Sequence, residues 1–207
     1  MKQGTLIILS GPSGVGKGTV VKALRRRSDK LRLSVSATTR PPRPEDQEGI
    51  TYFFKTEAAF REMLDRGEFL EYAVYNHNYY GTPAQAVDAL LAQGFDVVLE
   101  IEPQGGLQVM ERRPDAVSVF IVAPSFAELA RRLHGRGDTS SSDMENRLQT
   151  ARWEYTQAQH YQYIVVNDQV DACADRIMAI LTAEKCRAKY NCELCKENNE
   201  NALSPDV

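Results

Sequence analysis

Long apolar runs are missing from this 207-residue chain, and so is any large excess of charge of one sign. The first apolar stretch, Leu6 to Leu9, falls far short of the roughly 18 residues of a membrane span, so a soluble, unexported, cytoplasmic protein is expected. Twenty-five Lys plus Arg against 28 Asp plus Glu leave a net charge of -3, which argues against a broad basic nucleic-acid surface. Any bound anion must therefore be held by a local site. No nucleic-acid, membrane or obligate protein partner is expected. Cysteine is scarce too: Cys173, Cys186, Cys192 and Cys195 are too few for a disulfide framework. The last three include a C-x-x-C pair, but a structural zinc site needs a fourth ligand and no histidine is near. Free thiols are the expectation, with an intermolecular zinc or disulfide link as the alternative. His77, His134 and His160 match no metal spacing, and no internal repeat is present.

What the chain does have is 43% hydrophobic residues, enough for one globular domain with insertions. Short β-rich runs, Leu6–Leu9, Val97–Leu99, Val117–Val122 and Tyr163–Val166, alternate with helical patterns. Strands apolar throughout suit a parallel sheet covered on both faces, so the expected class is α/β. Ser125–Glu128 and Ser142–Glu145 fit capping boxes, Thr82-Pro83 puts proline at a first helical position, and Gly67 and Gly94 read as helix stops. Residues 34–94, rich in arginine, proline and aromatics, read as a mixed α+β insertion into a core of 1–33, 95–124 and 163–188. Residues 125–162 read as a lid and its following helix, with a mobile loop between His134 and Asp143, and 189–207 as a polar tail.

Directly after the first strand stands Gly11-Pro12-Ser13-Gly14-Val15-Gly16-Lys17-Gly18-Thr19, which carries the glycines and lysine of a nucleotide phosphate loop (P-loop) at their required spacing. Glycines let backbone N–H groups wrap a polyphosphate, the helix presents its positive end, and Lys17 adds a full charge. Gly18 stands where the motif has Ser or Thr for Mg²⁺, so the metal passes to water and to carboxylates elsewhere, with Thr19 placed for the α-phosphate. Glu100 and Glu102 end the strand around Val97, and period-2 spacing puts both on one face of it. A phosphate loop alone defines a nucleotide-binding protein and no more.

The discriminating stretch is Ser34 to Arg43, followed by Glu48 to Phe54. Two arginines three apart, with prolines beside them and a tyrosine nearby, can grip a phosphate monoester by forked hydrogen bonds. With Glu68–Tyr72, Asn78–Thr82, Leu99–Gly105, Gly135-Arg136-Gly137, Arg147-Leu148 and Val166–Asp168, these stretches closely resemble the guanylate kinase family from about Gly4 to Lys185. The resemblance implies a P-loop parallel sheet flanked by helices, with an inserted GMP-binding region and a small lid. It implies phosphoryl transfer from ATP with Mg²⁺ to GMP, and to dGMP. Gly11 to Thr19, Arg132, Arg136 and Asn167 would then meet ATP. Arg40, Arg43, Tyr52 and Tyr80 would hold the GMP phosphate, Ser36, Glu71 and Thr82 would read guanine, and Glu100 would lie on the acceptor side. Glu100 and Glu102 would serve Mg²⁺ through water, and Lys17, Arg43, Arg136 and Arg147 would carry the chemistry.

Glu71 has an independent rationale. Guanine offers two adjacent donors that one carboxylate can accept, and adenine lacks that pair. Two rivals stay open on sequence alone: a kinase of another phosphorylated ribose compound, and an inactive phosphopeptide-binding module of the same family. The first has no need of Glu71 with Ser36 and Thr82. The second has no use for Gly11, Gly16 and Lys17.

Overall fold

The computed structural model of the chain describes residues 3–134 and 141–193, the side chains of 141–143 excepted. Arg136, most of the expected loop before Asp143, and Cys195 with the remaining tail lie outside the described residues. The opening unit is β1 (Leu6–Ser10), α1 (Lys17–Arg27) and β2 (Leu31–Leu33). There follow β3 (Ser36–Thr38), β4 (Tyr52–Phe54), α2 (Glu57–Asp65), β5 (Phe69–Tyr75), β6 (Asn78–Pro83) and α3 (Ala84–Ala92). The rest comprises β7 (Asp96–Glu100), α4 (Pro103–Arg112), β8 (Val117–Val122), α5 (Phe126–His134), α6 (Ser141–Thr156), β9 (Tyr163–Val166) and α7 (Val170–Lys185). No helix among the described residues is long and apolar enough to cross a membrane.

The four apolar runs are β1, β7, β8 and β9. With β2, a short Leu-Arg-Leu strand that carries no periodic signal of its own, they form a parallel sheet in the order β2-β7-β1-β8-β9. Alternation along β1 divides the core: Ile7 and Leu9 join Val20, Leu24, Leu129 and Ile177, while Leu6 and Ile8 join Val87, Leu91, Val109 and Phe120. Both faces are covered, which is why these strands are apolar throughout. Each such side chain contributes about 1.5–3 kcal/mol by leaving water.

A second sheet, β4-β3-β6-β5, occupies most of the expected insertion. Its apolar face packs on α2, where Phe60 stacks on Phe69 at 4.3 Å, with Ala37 buried beside them. The Thr56 hydroxyl caps α2 by accepting from the Ala59 N–H. Within 34–94, α3 packs with the parallel sheet, because Val87 and Leu91 lie on its inner side.

Gly67 and Gly94 take left-handed conformations just beyond α2 and α3, as read. Pro83 differs from its reading: it ends β6 and caps α3, and Ala84 is the first helical residue, since a fixed φ near -65° also serves the cap. Ser125 accepts from the Glu128 N–H, but Glu128 turns to Arg131 and Arg132, so only half of that capping box forms. The helix read from Ser142 begins at Ser141. Cys173 is buried in α7, which pushes its thiol up to about 11. Cys186 and Cys192 are exposed free thiols, and a 3-10 turn, Ala188–Tyr190, opens the stretch read as tail.

Because the smaller sheet has its own apolar cluster, Phe60→Ala should destabilise by about 3–5 kcal/mol. Hydrogen exchange should show β3 and β6 losing protection before β1 and β8. Uniform loss across both sheets would mean that the two clusters unfold as one.

Candidate functional site

The phosphate loop leaves the carboxyl end of β1, the strand flanked by β7 and β8. Gly11 has φ +148°, and a Cβ there would run into the Ile121 carbonyl. Gly16, at φ +96°, caps α1 and hands its N-terminal amides to the crevice. Lys17 folds back over the loop, its Nζ donating to the carbonyls of Gly11 at 2.5 Å and Pro12 at 3.3 Å. The far side of the loop is braced through one acceptor, the Val15 carbonyl, which receives Asn167 Nδ2 at 2.8 Å and Arg132 Nη1 at 3.3 Å. Arg132 also donates to the Asn167 carbonyl and pairs with Glu128. Asn167 and Arg132, both read as ATP contacts, thus stand behind the loop and hold its shape.

Of the three carboxylates on this side, Glu100, Glu102 and Glu154, the first and the last feel the charge of Lys17. Glu100 ends β7, and its Oε1 would lie 3.3 Å from a Cβ at position 18. The acid therefore takes up the space that a hydroxyl residue after Lys17 would use, which gives the Gly18 departure a structural counterpart. Burial pushes Glu100 upward in pKa, and Lys17 and Lys22 pull it back. Glu102 corrects the sequence reading: β7 stops at Glu100, so Glu102 is the exposed N-cap of α4 and shares no strand face with it. Proline at position 103 starts the helix early and ends the period-2 rule.

The third acid, Glu154, went unnoticed in the sequence. It lies in the last turn of α6 and is only 4% exposed, and its Oε2 accepts from the Ser13 N–H at 3.3 Å. Burial raises its pKa, with Glu102 adding to the rise, while Lys17 and the Ser13 N–H oppose it. A signal existed, since Ala151 and Glu154, three apart on α6, are both buried beside the partly buried Leu148. An acid in an apolar stripe needs a reason. Among the described residues no group of three or more His, Cys, Asp or Glu is assembled to hold a metal ion. One or two acids with room for water suit Mg²⁺ that arrives on a polyphosphate, so Glu100 and Glu102 fit that role.

Across the crevice, the smaller sheet turns a polar face. Ser36 is opposite Tyr52, Thr38 opposite Tyr80, and Thr82 opposite Glu71, so period 2 puts all six side chains on the side away from α2. A bulge between Phe69 and Glu71 sends Phe69 to the α2 cluster and Leu70 to the main core, and aims Glu71 at the site. Glu71 is 6% exposed, and its Oε1 accepts from the Thr82 hydroxyl at 2.6 Å. Burial raises its pKa, the Thr82 contacts lower it, and Glu102 raises it again.

The Arg40 guanidinium lies 5.4 Å from the Tyr52 ring, and Tyr52 meets Tyr80 edge-on at 6.0 Å. Sequence reading missed the partner of Arg40: Asp46 accepts from it at 2.8 Å and from the Arg43 N–H at 2.8 Å. The Arg43 amide and then Arg40 hold Asp46 below the usual carboxylate range. Arg43 and Arg147 have exposed side chains. Tyr79 packs against Phe60 on the opposite face.

A parallel sheet with a glycine loop and lysine at its central strand, facing a second polar sheet face, defines a P-loop nucleotide-binding α/β protein. The Guanylate kinase family model matches residues 3–184. The chain belongs to that family. It is 47% identical over 186 residues to the guanylate kinase of Desulfitobacterium hafniense, covering 90% of this chain and 93% of the relative. With that of Caldanaerobacter subterraneus it shares 46% over 203 residues, or 98% of each. The crystal structure of guanylate kinase from Anaplasma phagocytophilum superposes with a TM-score of 0.69 at 33% identity, over 90% of this chain and 88% of that one.

Glu154 makes an electrostatic prediction. Its folded pKa is raised, so its charge costs stability above that pKa, and the cost disappears as pH falls toward the unfolded value near 4.3. Glu154→Gln should raise Tm at pH 7, as read by thermal unfolding. The gain should fade by about pH 4. A variant that melts lower at pH 7 would make Glu154 a net stabiliser.

Proposed function

We propose that this chain moves the γ-phosphoryl group of ATP to GMP, and to dGMP, releasing ADP and GDP in the cytoplasm. The observation that carries the assignment is the buried Glu71 carboxylate with Thr82, on the same sheet face as the Arg40–Tyr52–Tyr80 cluster. A carboxylate in a dry pocket accepts the ring N1–H and the exocyclic amine of guanine together, and Ser36 and Thr82 complete the contact with the base. Arg40, Arg43, Tyr52 and Tyr80 hold the acceptor phosphate, with the Arg40 guanidinium already set in place by Asp46.

On the donor side the loop amides and Lys17 wrap the triphosphate, Asn167 and Arg132 back the loop near the nucleoside, and Arg136 and Arg147 close from the lid. Glu100 and Glu102 are the carboxylates that would hold Mg²⁺ arriving with ATP, which would supply neutralisation of phosphate charge. An acceptor phosphate oxygen attacks the γ-phosphorus while the bond to the bridging oxygen of ADP breaks. No general base is needed, because the acceptor phosphate, with a second pKa near 6, is largely dianionic at pH 7. Alignment and charge neutralisation are the protein's contribution, and closure keeps water from the γ-phosphate.

The decisive assay is ADP release from ATP and Mg²⁺ with GMP, dGMP, AMP, UMP or a ribose phosphate offered in turn. GMP and dGMP should lead by a wide margin, and a lead by the ribose phosphate would reassign the substrate. Glu71→Gln sets a donor against a guanine donor at constant size, costing about 1.5–3 kcal/mol or more. Its kcat/KM for GMP should fall at least about tenfold while weak AMP activity holds. Equal losses for both in a folded variant would remove Glu71 as the base reader. Lys17→Ala should cut turnover by about 10²–10³ with the fold intact, and near-normal turnover would refute its role.

A further inference from the structure

The first helical turn of α4, Pro103-Gln104-Gly105-Gly106, holds two consecutive glycines, both buried. Glycine is among the poorest helix residues, so two here call for a packing reason. Their neighbours differ. A Cβ on Gly106 would run into the Tyr161 hydroxyl and approach Ser10 Oγ at 2.9 Å, which belongs to packing between elements of the main core. The three atoms nearest to a Cβ on Gly105 all belong to Glu71: Oε2 at 2.9 Å, Cδ at 3.4 Å and Cγ at 3.5 Å.

Neither partner can easily back away. Helix α4 is fastened to β5 on both sides of Glu71. The Gln108 amide donates to the Tyr72 carbonyl at 3.1 Å and accepts from the Tyr72 N–H at 3.2 Å. Arg112 donates to the Phe69 carbonyl. The other oxygen of Glu71 is held by Thr82 at 2.6 Å. A methyl group at position 105 therefore pushes on the far end of a flexible side chain while the backbones stay tied together.

From this we infer that Gly105 is a specificity-determining position: its missing side chain is the space in which the Glu71 carboxylate is set for the guanine edge. The inference rests on the assignment of Glu71 as base reader. Gly105 itself touches no substrate in this account and acts as a positioning residue through Glu71.

The test is Gly105→Ala, with GMP and ATP binding measured separately by isothermal titration and with thermal unfolding of each protein. GMP should bind at least about tenfold more weakly, as expected when a charge-assisted hydrogen bond loses its geometry. ATP affinity should stay within about twofold, and Tm should hold or rise, since alanine favours the helix. The same substitution in a Glu71→Gln background should weaken GMP little further, because the contact it disturbs is already gone. GMP binding of wild-type strength in Gly105→Ala would overturn the inference. So would an equal loss in both backgrounds, or a variant that fails to fold. If wild-type protein itself favours another acceptor, the assignment of Glu71 fails first, and that result is read from the wild type alone.

Discussion

The parallel pairing of β1 with both β7 and β8 is the constraint from which the rest of the site follows. It puts the ends of three buried strands side by side and leaves the amides of the glycine loop as the groups that face the crevice. Leu9 pairs with Glu100, which brings that acid to the first turn of α1 and against Gly18. On the other side, β8 ends under Gly11 and carries β9 beside it, so that Asn167 reaches the Val15 carbonyl. A loop built to hold a polyanion is in this way ringed by carboxylates whose charge is costly to bury. Lys17 moderates that cost at Glu100 and Glu154 alike.

The smaller sheet answers with a division of labour between its faces. Ala37, Phe53 and Tyr79 turn toward α2, and the residues between them turn toward the crevice. The single bulge at Leu70 makes this division compatible with β5 also touching the main core. In a regular strand without the bulge, Phe69 and Glu71, two residues apart, would share one face, and either the acid or the ring would lose its setting.

Much of this was legible in the sequence, and the limits are physical. Four strands of the large sheet, β1, β7, β8 and β9, could be read because burial leaves few polar residues in them. The phosphate loop could be read because anion wrapping fixes residue types at fixed spacing. Glu102 was misplaced because alternation holds only while the strand lasts, and Pro103 ends it. Glu154 escaped because it meets its partner through tertiary contact, 141 residues away. Asp46, three residues beyond Arg43, gave no periodic signal, since it sits in a turn.

The separate apolar cluster beneath the smaller sheet has a consequence for how such a protein can change over generations. The side chains assigned to the acceptor lie on elements whose packing centres on Phe60 and Phe69, apart from the two clusters that support the phosphate loop. Substitutions on that sheet can therefore alter which acceptor is preferred while the nucleotide cradle keeps its support. The fold thus separates the inheritance of a phosphoryl donor from the choice of what receives it, and α4, fastened to β5 by Gln108 and Arg112, is the seam along which the two can diverge.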